Sequence, residues 1–140
     1  MNNDYIFKTR AVNKNGMDGV AYIENGLIVP LASVSKKERL GTNPEELIGL
    51  SYATCLNSTL KSILRAKSLN NESDVRVDVY FKRNSEDRRF YFQIDAFLEV
   101  KGMTLEEMKP FVDEAHYRCP VSQLFEGSKT VTVQPFIFND

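Results

Sequence analysis

Cys55 and Cys119 are the only two thiols in the 140 residues, and their settings differ in ways that bear on chemistry. Cys119 directly precedes Pro120. A residue before proline is pushed out of the helical region, and proline suits a first helical position. Cys119 is therefore predicted at a helix start, where free N–H groups and the dipole stabilise a thiolate. Cys55 falls in the middle of a predicted helix and gains nothing from a helix end. Two readings of these thiols stand side by side: quiet buried side chains acting as small hydrophobes, or a redox pair. Two cysteines are too few for a disulfide scaffold, and no CxxC spacing points to zinc or a thioredoxin motif. His116 is the single histidine, three positions before Cys119. One histidine cannot make a metal site, so no metal or cofactor is expected, and a structural role for His116 is the simpler reading.

The helix that carries Cys55 opens on the stretch GTNPEELIGLSYATC, residues 41–55. Asn43 suits an N-cap, Pro44 the first helical position, and Glu45 and Glu46 bring negative charge to the first turn. Glu46 has capping-box spacing from Asn43, which leaves Glu45 without an obvious structural task. Glu45 cannot reach the thiol on its own helix, because ten residues at 1.5 Å each place the two roughly 15 Å apart. It would serve a site across a dimer interface or through a basic residue, or else simply favour the helix dipole. The first half of this helix, predicted over 44–67, is apolar nearly all round (Leu47, Ile48, Leu50, Tyr52, Ala53, Leu56), the pattern of a core helix. Ser51, Cys55, Ser58 or Thr59, and Ser62 share one side, leaving room for a pocket or a close helix contact.

Around that helix the pattern alternates between strand and helix. The first thirty residues read as strands: Tyr5, Phe7 and Thr9 alternate with polar positions, and 20–23 joins 27–29 through Asn25-Gly26, the signal of a type I′ hairpin. Residues 32–43, including Lys36, Lys37, Glu38 and Arg39, make a polar connection. Strict alternation over 74–82 and 90–100, separated by the charged RNSEDRR, predicts a second hairpin with one buried face. Thr104 and Glu107 have capping-box spacing and open a helix towards Arg118, which Pro110 either kinks or shortens to a later start. A short third helix from Pro120 and a strand over 129–138 complete an α+β chain, expected to be one domain over 1–140.

Lys and Arg total 18 against 19 acidic residues, so no strong field recruits nucleic acid or an anionic membrane. The start MNNDYIFK has no apolar signal region and no run suits a membrane span, so a reducing cytoplasm is the expected compartment.

Taken together, GTNPEELIGLSYATC, the hairpin that follows it and AHYRCPVSQLF resemble the OsmC/Ohr family of osmotically inducible and organic hydroperoxide resistance proteins. The resemblance runs from the Asn25-Gly26 hairpin to the final strand. GTNPEELIG and CPVSQ look more like the OsmC branch, and Tyr52 more like the Ohr branch. The resemblance implies an OsmC-like fold, with antiparallel sheets wrapped around long central helices in an intertwined homodimer and a site at each end of the interface. It implies a thiol-dependent peroxidase that reduces organic hydroperoxides to alcohols in oxidative stress defence. Carried over residue by residue, Cys55 falls on the reactive cysteine, Cys119 on its resolving partner, and Glu45 on the glutamate that orients an arginine. The implied route passes through a Cys55 sulfenic acid and a Cys55–Cys119 disulfide, reopened by a dithiol, for which a lipoylated protein is one candidate. An apolar substrate pocket is expected, with Tyr52, Phe125 or Met17 on its wall.

One departure stands out. The family arginine lies in a Gly-Arg-x-Gly turn of the first hairpin, and NGMDG places Met17 there. A guanidinium lowers a neighbouring thiol's pKa and forks onto an oxygen; methionine does neither. Lys14 and Arg10 are nearby in sequence as replacements. The alternative reading is therefore a binding or redox-sensing module on the same fold with little turnover.

Overall fold

The computed structural model describes residues 4–35 and 40–140. The predicted polar connection at Lys36, Lys37, Glu38 and Arg39 lies outside the described residues. The chain divides into two units, Met1–Pro44 and Glu45–Asp140.

The N-terminal unit is a three-stranded antiparallel meander of β1 (Ala11–Asn13), β2 (Val20–Ile23) and β3 (Ile28–Pro30). Residues 4–10 form no strand, so the expected alternation from Tyr5 to Thr9 does not pair; Ile6 and Phe7 are exposed. Alternation specifies a strand only where a neighbouring backbone takes up its hydrogen bonds. The β1–β2 connection is built by Asn13, whose side chain accepts from Gly16 N–H at 2.7 Å and donates to Gly16 C=O at 2.9 Å. Gly16 takes φ +61 there, and Met17 follows it, half-buried. Asn25-Gly26 does form the second turn, but not as type I′. Gly26 N–H bonds Ile23 C=O at 2.9 Å, so the central residues are Glu24 and Asn25, and only Asn25 has a positive φ, at 61°. Beyond β3, Leu31 bridges Thr42 in parallel, with Ala32 N–H to Thr42 C=O at 2.9 Å. Gly41 permits that approach, since a Cβ on it would sit 2.7 Å from the Leu31 carbonyl carbon.

The C-terminal unit is a helix-and-sheet core. The long helix α1 spans Pro44–Ala66, with β4 (Ser73–Arg83) and β5 (Phe90–Val100) in a full-length antiparallel hairpin behind it. Asn84 organises the hairpin's turn, its side chain accepting from Glu86 N–H at 2.8 Å. Period-two alternation does what it predicts: Ile94, Ala96, Leu98 and Val100 are buried on one face. The remaining elements are α2 (Leu105–Arg118), α3 (Pro120–Leu124) and β6 (Val131–Pro135), and β6 pairs in parallel with β5. The sequence pattern contained the strand but not this direction. The Thr104–Glu107 capping box is present and α2 runs from Leu105 straight through Pro110. Proline falls in the second turn, where the lost hydrogen bond is a single early one.

Burial on α1 differs from expectation. Its buried residues are Tyr52, Leu56, Leu60, Ile63 and Leu64, at helical spacing on one stripe, whereas Leu47 and Ile48 are half-buried and Leu50 is 65 % exposed. The apolar first half thus borders the core, and the second half fills it. Leu56, Leu60, Ile94, Leu98, Met108, Val112 and Cys119 belong to one continuous apolar cluster. Among the described residues no helix is long and apolar enough to cross a membrane.

Candidate active site

Two elements of the C-terminal unit meet at the cysteines. From α1 come Tyr52 and Cys55, one turn apart and so on neighbouring positions of the same side. Tyr52 is fully buried, and Cys55 is half-buried. Thr59 donates its hydroxyl to the Cys55 carbonyl at 2.9 Å, fastening that turn of the helix. From the other side comes the corner between α2 and α3. Cys119 is the last cap of α2, its N–H bonding Ala115 C=O at 2.9 Å, and the first cap of α3, its C=O accepting from Gln123 N–H at 3.0 Å. Its extended backbone, φ −68 and ψ 121, is what Pro120 imposes on the residue before it. The corner drives the side chain inward, and Cys119 is fully buried.

The outcome is a sulfur pair. Cys119 Sγ–H donates to Cys55 Sγ at 3.2 Å, with both thiols free. A disulfide bond is about 2.05 Å long, so only about an ångström of travel separates this contact from a covalent bridge. Beside it lies a second contact between the same two elements: Tyr52 Oη and Ser122 Oγ share a buried hydrogen bond of 2.7 Å. The Tyr52 ring also meets Phe125 edge-on, with centroids 5.1 Å apart.

Electrostatics separate the groups. Burial pushes the Cys119 thiol above its ordinary value, and the hydrogen bond and charge of Cys55 push the same way. The backbone N–H groups of Ser122 and Val121 pull it down without offsetting the burial. The start of α3 therefore does not make Cys119 a ready thiolate, contrary to what its place before proline suggests; a dry pocket outweighs a five-residue helix. Burial raises the Tyr52 phenol as well, opposed by its bond to Ser122 and reinforced by the two cysteines. Tyr52 is a neutral hydrogen-bonding group at physiological pH.

The other candidate residues lie elsewhere. Glu45, on the first turn of α1, lines a cleft of about 540 Å³ with Gly49, Leu50, Ala53, Val77 and Val79. It shares α1 with Cys55 but stands nearly three turns away, so the chain does not bring the two together. His116 is exposed and lines a second cleft, of about 880 Å³, which also reaches Ser122 and Phe125. Its walls include Arg118 and Glu126 beside Phe125, so this cleft is mixed in character. Tyr52 lies in the core. In the N-terminal unit Met17 sits in the β1–β2 turn, Lys14 is exposed, and the Arg10 guanidinium lies 3.5 Å from the Glu24 carboxylate.

Comparison with known proteins decides the relationship. The family model described as OsmC-like protein matches residues 35–134, well over half of the chain. The chain belongs to the OsmC-like family. Among curated relatives of this OsmC-like protein, organic hydroperoxide resistance protein-like 2 of Staphylococcus saprophyticus is 26 % identical over 136 residues, covering 92 % of this chain and 94 % of the relative. Organic hydroperoxide resistance protein OhrB of Bacillus subtilis is 22 % identical over 132 residues, covering 92 % and 97 %. The crystal structure of that OhrB superposes with a TM-score of 0.85 over 94 % of this chain and all of the other, at 21 % identity, which speaks to the fold. A protein of Lactobacillus casei, named for a conjectured redox role, is nearer: TM-score 0.89, 36 % identity, 99 % of this chain and 96 % of the other.

Ser122 belongs to the CPVSQ stretch that carries the family resemblance, but the sequence alone assigns it no role. Its signal was there as symmetry: Tyr52 stands three before Cys55, and Ser122 three after Cys119.

Proposed function

We propose that this OsmC-like protein is a thiol peroxidase that reduces organic hydroperoxides to alcohols in oxidative stress defence. The observation that carries the reading is the 3.2 Å contact between a half-buried thiol and a fully buried one. Names of relatives, organic hydroperoxide resistance proteins among them, support the substrate class.

In this reading Cys55 is the group that meets the peroxide. Its thiolate attacks the terminal oxygen, the O–O bond breaks, and the departing alkoxide takes a proton to become the alcohol, leaving Cys55 as a sulfenic acid. Cys119 sulfur then attacks the Cys55 sulfur: the S–S bond forms, the S–O bond breaks, and hydroxide leaves as water with the Cys119 proton. Burial beside Cys55 keeps Cys119 away from bulk oxidant until then. An external dithiol, with a lipoylated protein as one candidate, restores both thiols by exchange and leaves oxidised itself. Glu45 would hold a cation at the peroxide end of the site, a task that places it across a homodimer of single-domain chains. The exposed side chains of Leu50, Ile6 and Phe7 favour such a dimer. Light scattering should then return about twice the 16.0 kDa chain mass.

The decisive test adds one equivalent of cumene hydroperoxide to the reduced protein and counts thiols by mass spectrometry. A single intramolecular Cys55–Cys119 disulfide is expected; two thiols remaining after treatment would sink the mechanism. The second reading, a binding or redox-sensing module, is favoured by Met17 at the place of the family arginine. It predicts one oxidation event but negligible steady-state loss of hydroperoxide with dihydrolipoamide.

A further inference from the structure

The Tyr52–Ser122 hydrogen bond runs alongside the sulfur pair and joins the same two pieces of chain. Tyr52 is one turn before Cys55 on α1, and Ser122 is three residues after Cys119 on α3. Both side chains are buried, at 0 % and 2 % exposure, and their oxygens stand 2.7 Å apart. From these positions we propose that the Tyr52–Ser122 pair is a positioning rung that sets the separation and facing of Cys55 and Cys119 sulfurs, and thereby the ease of closing their disulfide.

Three observations support it. First, α3 is five residues long, too short to hold its own orientation, and hangs from the Cys119-Pro120 corner. Something beyond helix propensity must fix it against α1. Second, the rung joins two buried side chains. A hydroxyl pair between two buried side chains resists separation, because parting would leave a buried polar group unpaired. Third, Phe125 packs edge-on against the Tyr52 ring at 5.1 Å, so the phenol is held from the side as well as from its tip. Displacement of reacting atoms by about an ångström is enough to change intramolecular reactivity strongly, and the sulfurs are at 3.2 Å. Neither oxygen exchanges electrons or protons with the sulfurs in this role, so both are positioning residues.

The rung deepens the peroxidase reading, but its test needs no hydroperoxide. Wild type, Tyr52→Phe, Ser122→Ala and the double variant are each equilibrated with mixtures of reduced and oxidised dithiothreitol. In that exchange, two protein thiols become one disulfide as oxidised dithiothreitol becomes its dithiol. The fraction bridged is read by mass after acid quenching. Each single variant should lower the equilibrium constant for bridging by roughly tenfold, about 30 mV for this two-electron couple. The double variant should lose no more than either single one, since the rung is one contact. Ser122→Thr, which keeps the hydroxyl, should restore the wild-type constant. Single variants that bridge as readily as wild type, or losses that add in the double variant, would overturn the proposal. A merely structural role would lower the unfolding midpoint and leave the bridging constant in place, which also counts against it. A separate arm with cumene hydroperoxide tells the two claims apart: wild type inert to peroxide, yet with bridging weakened in the variants, refutes the peroxidase and keeps the rung.

Discussion

Cys55 and Cys119 touch each other, yet the regions that hold them are built on opposite principles. Cys55 is one residue in the unbroken hydrogen-bond ladder of a 23-residue helix, at the margin between core and solvent. Cys119 is a corner, where one helix ends and another begins, and it belongs to the apolar core. A ladder position keeps its backbone and offers only its side chain. A corner position is directed by the backbone, and here the proline-imposed extended conformation points the thiol inward. The lesson is one of access: of two adjacent sulfurs, the helix leaves one half-exposed and the corner buries the other completely.

The sharpest way to break this comparison is to remove each sulfur in turn. Cys55→Ser should reduce hydroperoxide loss to the uncatalysed background. Cys119→Ser should still consume about one equivalent in a single turnover, then stall as a sulfenic acid that a dimedone probe traps. Equal behaviour of the two variants would dissolve the assigned difference. A smaller effect is expected in labelling of the reduced protein. Cys55 should react with iodoacetamide roughly tenfold or more ahead of Cys119, whose alkylation waits on local opening; peptide mapping over time reads the order directly.

Met17 sharpens the Cys55 side. If Cys55 meets the peroxide as proposed and a cation at that place assists it, Met17→Arg should speed hydroperoxide reduction at neutral pH. The gain should stay under about tenfold, because a less basic thiolate is a weaker nucleophile. Loss of activity in Lys14→Ala with no gain in Met17→Arg would show that the lysine already supplies the charge. The smallest effect is on stability at alkaline pH. Burial holds the Cys119 thiol above its ordinary value, so the unfolded chain releases that proton at lower pH than the folded one. Its contribution is complete below the unfolded-state value of about 8.5 and is lost as pH rises through the folded one. Urea midpoints of wild type should therefore decline across that window, and Cys119→Ala should show a shallower decline; parallel slopes would contradict the burial account.

Legibility in the sequence followed the range of the interaction involved. The β4–β5 hairpin emerged almost to the residue, because alternation and a charged turn are local and each strand's partner is its neighbour in the chain. The capping box of α2 and the break at Cys119-Pro120 are equally local. Tyr5–Thr9 has the same alternation and no strand, since nothing in the described chain pairs with it. The first half of α1 looked like a core helix by composition, but which stripe is covered depends on what packs against it.

What the sequence determined by itself is therefore the inventory and its punctuation: two thiols, one mid-helix and one before a proline, on an α+β chain whose motifs resemble one family. Tertiary structure decided how those parts meet. It set β6 parallel to β5, brought two sulfurs distant in sequence to 3.2 Å, and made the Cys119 thiol harder to ionise where its helix start alone suggested the reverse. It also joined Tyr52 to Ser122, a pairing that no propensity encodes. The reason is physical: dihedral preferences and caps act within a few residues, whereas burial and cross-chain hydrogen bonds exist only once distant segments have excluded the water between them.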